Sequence, residues 1–176
     1  MGMDAATNNT TGYENVAIGA NALKYNTANY GSTAVGNYAM ANASDQTSGV
    51  ETNNTAIGSF ALRMSITPAN NTGINNTAIG GRTLVLNTSG TDNTAVGKTA
   101  LFVNQTGSQN TAVGESASLN NSFGSKNVAV GSGALYSNEA NNRSTAVGYR
   151  AMYNADDRSS GVDTYNTALG YEALKG

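Results

Sequence analysis

The chain has 176 residues, with nine Lys and Arg against eleven Asp and Glu for a formal charge of −2, and it contains neither Cys nor His. Without a basic surface it cannot neutralise a phosphate backbone, so nucleic acid is not an expected partner. The lack of imidazole and thiol removes the common zinc ligands, Cys nucleophiles, disulfides and any Ser-His pair. No run of about 18 apolar residues occurs, and residues 1–11 lack the basic and apolar regions of a leader peptide, so no membrane insertion is expected.

Residues 1–14 read as a partial lead-in, because Asn9-Thr10-Thr11-Gly12-Tyr13-Glu14 matches the later spacer Asn87-Thr88-Ser89-Gly90-Thr91-Asp92. From 15 to 176 one unit recurs nine times, starting at Asn15, Ser32, Asn54, Asn76, Asn93, Asn110, Asn127, Ser144 and Asn166. Each copy carries Ala, then Ile, Val or Leu, then Gly, as in Asn93-Thr94-Ala95-Val96-Gly97-Lys98-Thr99-Ala100-Leu101. Successive glycines (Gly19, Gly36, Gly58, Gly80, Gly97, Gly114, Gly131, Gly148, Gly170) lie 17, 22, 22, 17, 17, 17, 17 and 22 residues apart. The period is thus 17, with five residues added three times. A fixed period of this length marks a solenoid whose unit is too small to bury its own apolar face. The array opens and closes within its repeat without atypical capping units, so a longer parent protein is expected.

Thr-Ala-Val-Gly suits a strand of about four residues, and a second short strand is expected at Ala-Leu. Helix is disfavoured by a Gly in every unit and by the lack of sustained 3.6-residue periodicity. Hairpins are disfavoured because no Asn-Gly or Asp-Gly pair occurs. The expected fold is therefore all-β, a parallel β-roll or solenoid of about nine coils of 17 to 22 residues. At about 4.8 Å per coil the rod is roughly 43 Å long.

Alternation along a strand sends Ala95 and Val96 to opposite faces. One face, Ile18, Val35, Ile57, Ile79, Val96, Val113, Val130, Val147 and Leu169, is expected to fill a thin interior. It would be joined there by Leu23, Met40, Leu62, Leu84, Leu101, Leu135, Met152 and Leu174. The other face is a column of alanines, Ala17, Ala34, Ala56, Ala78, Ala95, Ala112, Ala129, Ala146 and Ala168, expected to meet other subunits at close range. The column Asn15, Asn54, Asn76, Asn93, Asn110, Asn127 and Asn166 is expected to stack as an amide ladder, with Ser32 and Ser144 substituting. The recurring Gly after each strand marks positive φ or a site too crowded for a Cβ. Gly12, Gly73, Gly90, Gly107 and Gly124 suggest a second turn per coil.

The enlarged units add residues at 41–53, 63–75 and 153–165, where surface loops are expected. The first and third are alike, both follow units that start with Ser and end in Met, and a duplicated two-unit block explains them. These loops gather Asp45, Glu51, Tyr153, Asp156, Asp157, Arg158 and Asp163, the candidates for receptor contact. Neither the EF-hand spacing nor a Gly-Gly-x-Gly-x-Asp repeat is present, so no metal is assigned. No carboxylate pair recurs with fixed geometry and no base stands near a nucleophile, so no catalytic residue or cofactor is assigned either. Tyr38, Phe60, Tyr149 and Tyr171 follow the Gly at variable, outward positions, where rings could stack on sugars.

Across residues 9–174 the units Asn-Thr-Ala-Ile/Val-Gly-x-x-Ala-Leu resemble the repeats of trimeric fibre proteins. These are the YadA-like heads of trimeric autotransporter adhesins and related repeats of bacteriophage and viral tail fibres. The resemblance implies a left-handed parallel β-roll, a homotrimer, and a virion or cell-surface location with attachment to a host receptor or glycan. The 17-residue period with Asn is nearer the phage-type pattern, and the adhesin neck, stalk and membrane barrel have no counterpart in the sequence. Two other readings compete. One is an ice-binding solenoid using Thr33, Thr55, Thr77, Thr94, Thr111, Thr145 and Thr167, a column that Val16 and Val128 interrupt. The other is a carbohydrate-degrading tailspike.

Overall fold

The computed structural model describes residues 2–42, 49–64, 71–154 and 161–176, and each gap between these ranges falls within one enlarged unit. Among the described residues there is no helix. These described residues hold nine strands of three residues each: β1 (Val16–Ile18), β2 (Thr33–Val35), β3 (Thr55–Ile57), β4 (Thr77–Ile79), β5 (Thr94–Val96), β6 (Thr111–Val113), β7 (Val128–Val130), β8 (Thr145–Val147) and β9 (Thr167–Leu169). They form one parallel sheet in sequence order. Thr33 pairs with Thr55 across a long unit just as Thr94 pairs with Thr111 across a short one, so added residues leave the register untouched.

The structure reverses the expected faces of the strands. Each middle residue, alanine, points into the coil: Ala34, Ala56, Ala78, Ala95, Ala112, Ala129 and Ala146 are wholly buried, Ala168 nearly so, and Ala17 packs half-buried beside them. The flanking Thr and Val or Ile point outward and stay partly exposed. The reason is thickness. Leu23, Met40, Leu62, Leu84, Leu101 and Leu135 reach across from the opposite corner, together with a second alanine such as Ala100 or Ala117, and only a methyl fits against them. The alanine column is therefore interior packing within one chain, not a contact between subunits.

The segment expected to be a second strand is a corner. Thr99 and Leu101 take φ of 57° and 49°, and the equivalent pairs, for example Phe60/Leu62 and Arg82/Leu84, do the same. Left-handed conformations cost ordinary residues roughly 1–2 kcal/mol each. Here the alternation keeps peptide groups directed along the stack, so Thr99 N–H donates to Gly81 O (3.1 Å) and Leu101 N–H to Ala117 O (3.0 Å). Backbone groups are thus satisfied around the bend without a strand. The burial of Leu101 offsets the strain, and Leu101→Ala, which opens a cavity in a core one side chain thick, is expected to cost about 2–5 kcal/mol in chemical denaturation.

Gly2 to Gly12 form the far side of a preceding coil that the strand motif does not reveal. Asp4 and Ala6 repeat the corner at φ 57° and 50°, and Ala6 N–H donates to Ala22 O at 2.8 Å. Ala6 stands where all later coils but one carry Leu or Met, the exception being Ser118.

Much of the interior is amide rather than hydrocarbon. In the Asn93 column Asn54, Asn76, Asn93, Asn110 and Asn127 are buried, but the column is mostly not an amide-to-amide ladder. Asn93 Oδ1 accepts the backbone N–H of Asn110 (3.0 Å), and its Nδ2 donates to Gly107 O (2.8 Å), so each side chain splices its own coil to the backbone of the next. A second column, Asn87, Asn104, Asn121 and Asn138, with Asn9 and Asn26 nearer the start, forms the true ladder. Asn104 Nδ2 donates to Asn87 Oδ1 (2.8 Å), Asn121 to Asn104 (2.9 Å) and Asn138 to Asn121 (2.9 Å). Each also closes its own turn, as Asn104 does on Gly107 O (2.9 Å). Asn104→Ala leaves buried partners on both neighbouring coils unmatched, with an expected loss of about 2–4 kcal/mol. Asn37→Ala, on the exposed surface, is expected to stay within about 0.5 kcal/mol when both variants are compared with the parent by chemical denaturation.

Candidate assembly face and surface sites

The outer face of the sheet is a regular surface. Each three-residue strand sends its first and third side chains outward, so stacking in register produces two parallel columns. One is threonine, interrupted by Val16 and Val128. The other is Ile18, Val35, Ile57, Ile79, Val96, Val113, Val130, Val147 and Leu169. Neighbours above and below cover their flanks only: Ile57, Ile79 and Val113 remain 40, 38 and 37% exposed. Single exposed aliphatics are ordinary, but an unbroken stripe on a rigid sheet is the kind of patch that marks an interface. Ser32 and Ser144 hold the edge of this face where Asn is missing, through hydroxyl pairs with Thr52 (2.5 Å) and Thr164 (2.6 Å).

The loop residues proposed for receptor contact do not converge. Glu51 bridges to Tyr30 beside β3 and accepts from Asn53 Nδ2 (3.2 Å), whereas Asp163 bridges to Asn142 beside β9. Six strand spacings separate these positions, about 29 Å at the usual spacing. Asp163 is also occupied within the chain. It pairs with Arg143 (3.1 Å) and accepts from Asn142 Nδ2 and the Tyr165 hydroxyl (both 3.3 Å), while Arg143 also contacts the Tyr165 hydroxyl and lies over its ring. Tyr153 is half-buried, stacked on Tyr136 at 4.7 Å with the Arg150 guanidinium 5.2 Å from its ring centre. Asp45, Asp156, Asp157 and Arg158 lie outside the described residues.

The outward aromatics pair with one another. Tyr38 stacks on Phe60 and Tyr149 on Tyr171, both at 5.3 Å, and Tyr13 stacks on Tyr30 at 4.4 Å. These are adjacent-coil positions, so periodicity alone places the rings face to face. Among the described residues no group of three or more acidic side chains is placed to hold a metal ion. Tyr13 titrates above its ordinary value through partial desolvation and the Tyr30 hydroxyl, and Lys24 does so through its hydrogen bond to Asp4. Both groups ordinarily titrate well above neutrality, so neither acts as a switch there.

The second asparagine column and the residues that meet at the corners escape a reading based on the strand motif. Their signal is the same 17-residue period, carried by spacer positions that look like polar filler. No protein-family model, curated protein or solved structure matches this chain.

Proposed function

We propose that the chain is a non-enzymatic segment of a trimeric fibre, of the tail-fibre or surface-adhesin type, that acts as a rigid spacer and carries attachment surfaces. The observation that supports it is the outward aliphatic column on a sheet with constant register. A long straight stripe of half-exposed Ile and Val is stabilised by burial, and three such stripes meeting around one axis bury all of them equivalently. The subunits join along Ile18 to Leu169, with the alanines filling each roll from within. The loops and corners then face away from the axis, where a host receptor or glycan is accessible. Sedimentation of the purified chain tests the reading: a trimer is expected, and a monomer at micromolar concentration overturns it.

The outward threonine column favours a second reading, an ice-binding face, because the threonines and the aliphatic column lie side by side on one regular sheet. Thermal hysteresis from a monomeric sample selects that reading; a trimer without hysteresis removes it.

A further inference from the structure

We infer that a shallow pocket across the third, fourth and fifth coils binds a sugar ring bearing a single carboxylate, within a longer glycan. The pocket encloses about 170 Å³ and is lined by Phe60, Arg63, Arg82, Val85 and Phe102. These residues come from two columns. Phe60 and Arg82 each lie two residues past the strand-ending Gly, and Arg63, Val85 and Phe102 each lie five past it, so stacking makes a groove with two walls.

The chemistry of the walls selects the ligand. The Arg63 guanidinium lies 5.4 Å from the Phe60 ring centre and 6.0 Å from that of Tyr38, which orients a planar cation against aromatic faces. Arg82 is exposed on the next coil, and neither arginine forms an ion pair among the described residues. The same two columns near the other end of the array give the contrast. There Arg150 is flanked by Tyr149 and Tyr153 at 5.1 and 5.2 Å and has Glu172 at 4.0 Å, so its charge is met within the chain.

Two arginines without an ion pair among the described residues suit bidentate recognition of a carboxylate. Phe60, Phe102 and Val85 supply the apolar faces on which the C–H side of a pyranose rests. Two cations on a chain of formal charge −2 are too few to hold a polyphosphate, which argues against nucleic acid. A volume below the roughly 300–1,000 Å³ of drug-sized pockets admits one ring of a chain.

The inference supplies a ligand for the attachment role proposed above and rests on it for biological purpose, although the pocket lies within a single chain. Isothermal titration of the purified protein with tetragalacturonate and with 3′-sialyllactose tests it, with maltotetraose, lactose and sodium sulfate as controls. Saturable binding of at least one carboxylated glycan is expected, at least tenfold tighter than its neutral control and weakened by salt. Arg63→Gln with Arg82→Gln is expected to reduce it at least tenfold, with unchanged circular dichroism and sedimentation. Equal binding of neutral and acidic sugars, equal binding of sulfate, no saturation by either acidic glycan, or full binding by the double variant overturns the inference. Sedimentation of the same samples separates the two ideas. A monomer that binds removes only the trimer, and a trimer that does not bind removes only the pocket ligand.

Discussion

Val96→Asp combined with Val113→Asp is expected to turn the proposed trimer into folded monomers, with association weakened by more than a thousandfold in sedimentation. The two side chains point away from their own coil, and Val113 is 37% exposed, so a carboxylate there reaches water in the single chain. Monomer stability should change by no more than about 1 kcal/mol, as for other surface substitutions. Around a three-fold axis the same change places three carboxylates in each of two adjacent layers, without cations to meet them. Unpaired charge in an apolar interface costs several kcal/mol per group, far more than the lost contact of valine. If the double variant sediments as the parent does, the aliphatic face is not the seam.

Gly97→Val is expected to break the array internally and to destabilise it by at least about 3 kcal/mol. A Cβ at Gly97 would lie 2.5 Å from Gly114 O and 2.7 Å from its carbonyl carbon, and Gly97 has φ of 130°, outside the region that side chains tolerate. Backbone strain of this kind costs on the order of 1–3 kcal/mol before any clash is counted. Relief requires the fifth and sixth coils to separate, which stretches the bonds from Thr94 N–H to Asn110 O and from Gly114 N–H to Val96 O, both 2.8 Å. Because each coil touches only its neighbours, the defect should uncouple the two halves, and urea unfolding should become biphasic. Gly170→Ala gives the comparison: its Cβ meets nothing nearer than Ala173 at 3.9 Å, which leaves only the strain of φ 127°. A single sharp transition for Gly97→Val, at the parent midpoint, contradicts this account of the glycine column.

The period, the parallel stacking, the buried Leu and Met column apart from the exposed Leu174 of the last coil, and the role of the strand-ending glycines were legible in the sequence, because each depends on residue identity repeated at fixed spacing. The facing of the strands was not. A three-residue strand can point either set of side chains inward, and hydrophobicity alone places Val96 rather than Ala95 in the core. What decides is the space left after Leu101, Ala100 and two amide columns have filled the coil. The corner was hidden for a related reason: Leu101 at φ 49° is an unfavourable choice locally, tolerated because burial and continuous hydrogen bonding offset it. The pocket of Arg63 and Arg82 could not be found by proximity in sequence, since its walls meet only when three coils are laid in register.

That register has an evolutionary consequence. Thr33 meets Thr55 as faithfully as Thr94 meets Thr111, although the first step spans 22 residues and the second 17. Every layer therefore offers the same template to whatever follows, and copying a unit extends the rod without redesigning its cross-section. Reach and decoration can thus vary independently: recombination between near-identical segments changes length, while substitutions at the bends change what the surface recognises.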